Sequence, residues 1–174
     1  FMRRMGSEGV AFGTICVSGS ASSLPHGVPR NCKLERGFLT MDFGAKYNGY
    51  CSDMTRTVAV GEVTEEQRKV YETVLAAQKS ALEILKSGLD CCQADKAARQ
   101  IIDDAGYGEY FGHGTGHGVG IEIHELPNLS PRSDAVLEVG NVVTVEPGIY
   151  IPNKFGVRIE DMALITESGC RNLT

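Results

Sequence analysis

No apolar run in the 174 residues approaches the roughly 20 that a membrane-spanning helix needs. The first residues also lack the basic-then-apolar order of a secretory signal. Together these absences lead to the expectation of a cytoplasmic protein with no membrane partner. Excess positive charge is missing as well. The formal net charge is −5, and Arg3-Arg4 is too short a basic run to reverse it, so nucleic acid is not expected as a partner. The six cysteines include no C-x-x-C pair and none at zinc-finger spacing. A chain of this length builds a core without covalent staples, so free thiols are expected.

Ordinary proportions, 42% hydrophobic and 22% charged, fit one soluble domain. Less ordinary are 21 glycines that gather around the histidines and acids. The central stretch runs from Thr40 to Thr55. Asn48-Gly49 is a type I′ hairpin signal between strand-like arms. That turn sets Tyr47 opposite Tyr50 and Asp42 opposite Thr55. Asp53 then shares a face with Asp42, two residues along from Thr55. Two acids placed so repel unless a cation stands between them.

In chain order, Phe1 to Gly6 reads as the last turn of a helix closed by glycine. Thr14–Ser18 is a buried strand, and His26 lies in a loop between Pro25 and Pro29. Strands are expected over 38–42 and 55–60. Thr64-Glu65-Glu66-Gln67 is a capping box that opens a helix with its apolar stripe at Val70, Tyr71, Val74, Leu75, Leu82 and Leu85. Gly88 is expected to stop it. A second helix is expected over 94–105, with Ala97, Ala98, Ile101 and Ile102 inward and Gly106 as its cap. The remainder is β-like, over 142–148 and 156–162.

An internal repeat supplies two more acids. Leu39-Thr40-Met41-Asp42-Phe43-Gly44 matches Val143-Thr144-Val145-Glu146-Pro147-Gly148, and each copy is followed by a turn and a second acid, Asp53 or Glu160. A three-residue loop at Pro152-Asn153-Lys154 would set Glu146 opposite Glu160. Four carboxylates and an imidazole suit Mn²⁺, Co²⁺, Fe²⁺ or Zn²⁺. Four acids exceed what one ion requires, whereas two ions can share bridging carboxylates and support hydrolysis. The glycine-rich histidine run follows a glycine-capped helix and lacks dinucleotide-binding spacing. His124-Glu125 does not open a zinc-protease helix, because Pro127 forbids it.

Asp42 and Asp53 at their spacing of eleven, the run GHGTGHGVGIEIHELP, VEPGIY and GVRIEDM together resemble the metallopeptidases of the pita-bread fold. LPHGVP, YCSDMTRT and the doubled histidine run are most similar to the proline-specific branch, the Xaa-Pro aminopeptidases and Xaa-Pro dipeptidases. Methionine aminopeptidases, whose equivalent segment usually lacks the His113 counterpart, are less similar. The resemblance runs from about Gly6 to Asn172. It implies an α+β fold of two pseudo-symmetric halves, with a curved antiparallel sheet and helices on its outer face. It also implies five metal ligands, Asp42, Asp53, His117, Glu146 and Glu160. Asp53 and Glu160 would bridge two divalent ions, Mn²⁺ first among them, with Asp42 on one and His117 with Glu146 on the other. A metal-bridging water or hydroxide would be the nucleophile and Glu146 its proton acceptor. His124 would steady the tetrahedral intermediate, and His113 and His26 would line the substrate site. Arg158, on the face of Glu160, would steady the carboxylates from behind.

The substrate so implied is a peptide with proline second, cleaved between its first residue and that proline. Family members usually carry more helix before the segment that starts here, and a short closing segment after it. The chain is therefore expected to be a single catalytic domain shortened at its N-terminus and slightly at its C-terminus, from a protein that can form a homodimer. The alternative is a metal-free pita-bread relative, either a creatinase-like hydrolase or an inactive binding module.

Overall fold

A computed structural model describes residues 1–174. A 3-10 turn at Met2–Met5 closes on Gly6, whose φ of 103° only glycine adopts readily. Strands β1 (Gly9–Val10) and β2 (Ile15–Ser18) follow, then a second 3-10 turn at Gly19–Ser23 and the loop that carries His26. Next come β3 (Gly37–Phe43), β4 (Ala45–Tyr47), β5 (Tyr50–Cys51) and β6 (Met54–Val60). Helices α1 (Glu65–Ile84) and α2 (Cys91–Asp104) separate this half from the second. That second half comprises β7 (Gly116–Gly118), β8 (Glu125–Leu129), β9 (Val142–Val145), β10 (Gly148–Ile151), β11 (Phe155–Arg158), β12 (Asp161–Ile165) and β13 (Cys170–Asn172).

Every ladder is antiparallel. The two larger sheets run β2-β3-β6 and β13-β12-β9-β7-β8. Their registers follow from the turns. Asn48 and Gly49 both have positive φ, as a type I′ turn requires, and Tyr47 pairs with Tyr50 and Asp42 with Thr55. In the second half Ile151 pairs with Phe155 across three residues, and Gly148 with Arg158. The same register resumes beyond the interruption at Pro147, where Val145 pairs with Asp161. Glu146 therefore faces Glu160 across one long two-stranded arm, as the repeat implied.

The helices cover the strands with one continuous core. Val70, Val74, Ala77 and Ala81 of α1 and Cys91, Ala94, Ala98 and Ile102 of α2 pack with Val143, Val145, Ile149, Val157 and Ile165. Thr64 accepts from Gln67 N–H and Gln67 returns the bond, so α1 opens on its capping box. Its end differs from expectation: α1 stops at Ile84, and Gly88 (φ 84°) sits in the following turn, donating to Leu137 O. α2 begins at Cys91 rather than Ala94, and it buries Asp95 where an apolar stripe was expected, leaving Ala97 and Ile101 half-buried. No helix is long and apolar enough to cross a membrane. All six cysteines are free.

One glycine positions the site directly. Gly44 ends β3 so close to the returning strand that a Cβ there would collide with the carbonyl oxygen of Ser52, beside Asp53. Gly44→Ala is expected to lower unfolding free energy by about 1–3 kcal/mol in urea titrations. A loss below about 0.5 kcal/mol would contradict this close approach.

Candidate metal centre

Both halves deliver acids to one cleft of about 990 Å³. Asp42 comes from β3 and Asp53 from the residue before β6, while Glu146 follows β9 and Glu160 precedes β12. His117 lies in β7, next to β9. Asp53, His117 and Glu160 each offer a ligand atom, all within 4.8 Å of one another. Glu146 Oε1 lies 3.2 Å from His117 Nε2. Asp42 and Glu160 are buried, yet Asp42 Oδ1 and Glu160 Oε1 have no hydrogen-bond partner. Buried carboxylate oxygens are costly to leave unpaired. Oxygen-rich donors with one imidazole and two unpaired oxygens fit a divalent cation.

Arg158, 4% exposed, holds this set from behind. Its Nη2 donates to Asp42 Oδ2 at 2.7 Å and its Nε to Thr55 Oγ1 at 3.0 Å. Thr55 Oγ1 in turn donates to Glu160 Oε2 at 2.6 Å. Nη1 donates to the Tyr150 hydroxyl and to Pro25 O, the latter in the loop of His26. Arg56 donates to the backbone of Glu160 and to Asp161, whose other oxygen accepts from Gln78 of α1.

The histidine tautomers follow from their neighbours. His117 Nδ1 lies 3.0 Å from Gly118 O, an acceptor only, so Nδ1 carries the proton. Nε2 then faces Glu146 and Asp53, free to bind a metal. The same logic applies to His113, whose Nδ1 donates to Gly114 O at 2.8 Å. Its Nε2 accepts from the Tyr150 hydroxyl at 2.9 Å. His124 is exposed at the cleft, and its ring meets that of His117 edge-on at 4.5 Å. His26 is exposed and lines the same cleft.

Electrostatics show what the cluster lacks. Burial, with Asp42 and Glu146 nearby, pushes the Asp53 carboxyl up to about 7. Burial and the neighbouring acids also carry Glu160 well above its ordinary value, and burial raises Asp42 against the pull of Arg158. Glu146 goes the other way: burial opposes it, but the His117 hydrogen bond and charge hold it low. His117 is raised, the Glu146 bond outweighing burial. Burial lowers His113 and His124 and pushes Tyr150 up to about 12. In the absence of an ion, protons take the place of the missing positive charge.

All the residues singled out from sequence thus line one cleft, Arg158 reaching the acids rather than open space. Sequence reasoning passed over Tyr150 and Thr55. Tyr150 ended the VEPGIY motif, and Thr55 was already placed opposite Asp42, so register contained the signal for Thr55. Thr144, which accepts from His117 N–H and donates to Glu146 Oε1, was missed with no local signal.

Residues 1–167 match the metallopeptidase family M24. The chain is 53% identical over 174 residues to the Xaa-Pro dipeptidase of Pyrococcus furiosus, covering 99% of this chain and 50% of that protein. Among solved structures, the prolidase from Pyrococcus furiosus superposes with a TM-score of 0.97 at 53% identity, over 99% of this chain and 51% of the other. The X-Pro aminopeptidase from Thermotoga maritima MSB8 gives a TM-score of 0.95 at 49% identity, over 99% and 49%. The α+β pita-bread fold is therefore that of the prolidase structures. The chain spans about half the length of the curated relatives it matches.

Two outcomes follow from this geometry. Between pH 3.8 and about 7 the folded metal-free chain holds a proton on Asp53 that the unfolded chain has released. Its stability should fall as pH rises through that window, and Mn²⁺ should reverse the loss. A thermal midpoint that rises across the window without metal would contradict the buried-acid cluster. Thr55→Val should keep the fold but lower metal affinity roughly 10–100-fold by calorimetry; unchanged affinity would show that Thr55 does not orient Glu160.

Proposed function

The chain belongs to metallopeptidase family M24, and from that premise we propose that it carries the metal centre of an exopeptidase that hydrolyses the bond between an N-terminal residue and proline. The observation that carries this reading is the pair of unpaired buried oxygens, Asp42 Oδ1 and Glu160 Oε1, within the carboxylate set around His117. The Xaa-Pro dipeptidase and X-Pro aminopeptidase relatives support the substrate class.

Asp53 and Glu160 would be shared between two divalent ions, Asp42 holding one and His117 with Glu146 the other. Mn²⁺ is the first choice, and Co²⁺, Zn²⁺ and Fe²⁺ suit the same donors. When bound, such ions polarise a carbonyl and lower the pKa of water. In the metal-free chain the His117 hydrogen bond and charge keep Glu146 ionised at neutral pH, and a cation held between the two would do the same. Its Oε1 is held by Thr144, and the carboxylate would take the proton of the attacking water. His124, kept neutral, donates a hydrogen bond to the scissile carbonyl oxygen as negative charge develops there. Both ring nitrogens of His113 are already engaged, so it meets the peptide through its ring and sets the shape of the subsite. His26, exposed in the cleft lining, would meet the peptide as well.

A single ion at Asp53, His117 and Glu160 is the second reading, favoured by the proximity of those three alone. Metal content per chain separates two ions, one and none; the last would leave the metal-free hydrolase or binding module. Xaa-Pro dipeptides and Xaa-Pro-Yaa tripeptides, tested with Mn²⁺, Co²⁺ and Zn²⁺ in turn, distinguish dipeptidase from aminopeptidase. Asp53→Asn should cut hydrolysis by more than roughly 100-fold in a folded protein, and wild-type rates there would refute its role as a ligand. His113→Ala should slow turnover by roughly 100-fold with metal content kept; metal loss would reverse the assignments of His113 and His117.

A further inference from the structure

Behind the cleft, on α2, buried Asp95 and half-buried Arg99 form a pair that touches none of the metal ligands' side chains and does not itself line the cleft. Arg99 Nε and Nη2 donate to the two oxygens of Asp95 at 2.8 and 2.9 Å, and Asp95 is 1% exposed. A helical i,i+4 ion pair on a surface contributes a few tenths of a kcal/mol and needs no further partner. This one has several, all on the histidine segment. Arg99 Nη1 donates to Phe111 O at 3.0 Å and Nη2 to His113 O at 2.8 Å. The guanidinium lies 4.2 Å over the Phe111 ring, which meets the His113 ring edge-on. Asp95 Oδ1 also accepts both the amide and the hydroxyl of Thr115 at 3.0 Å. Thr115 O then accepts from the amide of Glu146 at 2.7 Å.

We propose that Asp95 and Arg99 are positioning residues, a clamp on α2 that fixes the 111–115 segment and thereby the place where His113 stands for a peptide. The role assigned to His113 rests on the function proposed above; the clamp itself rests on its own hydrogen bonds. Apart from the Glu146 amide on Thr115 O, segment 111–115 has no neighbouring strand to fix it, since β7 starts only at Gly116. Glycines at 112 and 114 leave its backbone free to move, and the clamp removes that freedom. The fork of Arg99 spans a carboxylate and two carbonyls at once, which a lysine ammonium cannot do.

Arg99→Lys tests this, because it keeps the charge beside Asp95 and loses the reach to Phe111 and His113. The readout in the metal-free chain is the imidazole Nδ1–H of His113, with that of His117 as an internal control in the same NMR spectrum. The His113 proton should exchange with water roughly tenfold faster while the His117 proton changes by less than about twofold. In the Mn²⁺-loaded protein kcat/KM on an Xaa-Pro peptide should drop roughly tenfold, and Mn²⁺ affinity should stay within about twofold. Both protons unchanged in the folded variant would overturn the clamp, and so would both loosening together, the mark of a merely structural pair. Should the variant not fold, the unsubstituted chain decides. Resolved, slowly exchanging Arg99 guanidinium protons support the clamp, and rapidly averaged ones overturn it. A wild-type chain that cleaves no Xaa-Pro peptide would sink the proposed function and leave the His113 exchange result standing by itself.

Discussion

Arg158 is the one arginine or lysine lining a cleft that also holds Asp42, Asp53, Glu146 and Glu160. Its guanidinium reaches β3 through Asp42, β6 through Thr55, β10 through Tyr150 and the His26 loop through Pro25 O. Removing it would leave buried acids without a cation, the costly way to break a buried pair. Yet one cation against four acids does not balance. Burial, together with the residual demand for positive charge, lifts Asp53 and Glu160, and Glu146 raises His117 against its burial. Positive charge supplied by divalent ions would meet that demand while releasing the protons that these groups hold.

The demand is concentrated because two hairpins of similar plan converge. Asp42 stands opposite Thr55 in the first, and Glu146 faces Glu160 in the second. Thr55 donates to Glu160, so the halves are joined by a hydrogen bond between their corresponding strands. The helices contribute nothing to the cleft itself. α1 supports the second hairpin through Gln78 and Asp161, and α2 the histidine segment through Asp95 and Arg99.

How much of this could be read beforehand depended on distance along the chain. Register was legible because a type I′ turn and the two-residue period of a strand fix every facing pair, which placed Asp42, Thr55, Glu146 and Glu160 correctly. The capping box likewise fixed where α1 begins. Its end was not legible: Leu85 leaves the helix before Gly88, and Gly88 and Leu89 instead pair with Leu137, which no local pattern encodes. Asp95 was hidden for the same reason. Its partners on the helix are four residues away, but the acceptor role that makes it worth burying is to Thr115, twenty residues on. Tyr150 and Thr144 also owe their positions to partners far along the chain.

The most direct measurement is anomalous scattering from crystals of the chain grown with saturating Mn²⁺. Two peaks enclosed by Asp42, Asp53, His117, Glu146 and Glu160 are expected, with Asp42 Oδ1 and Glu160 Oε1 among the ligand atoms. No peak in the cleft, or manganese bound only elsewhere, would contradict a cluster of acids built around divalent ions.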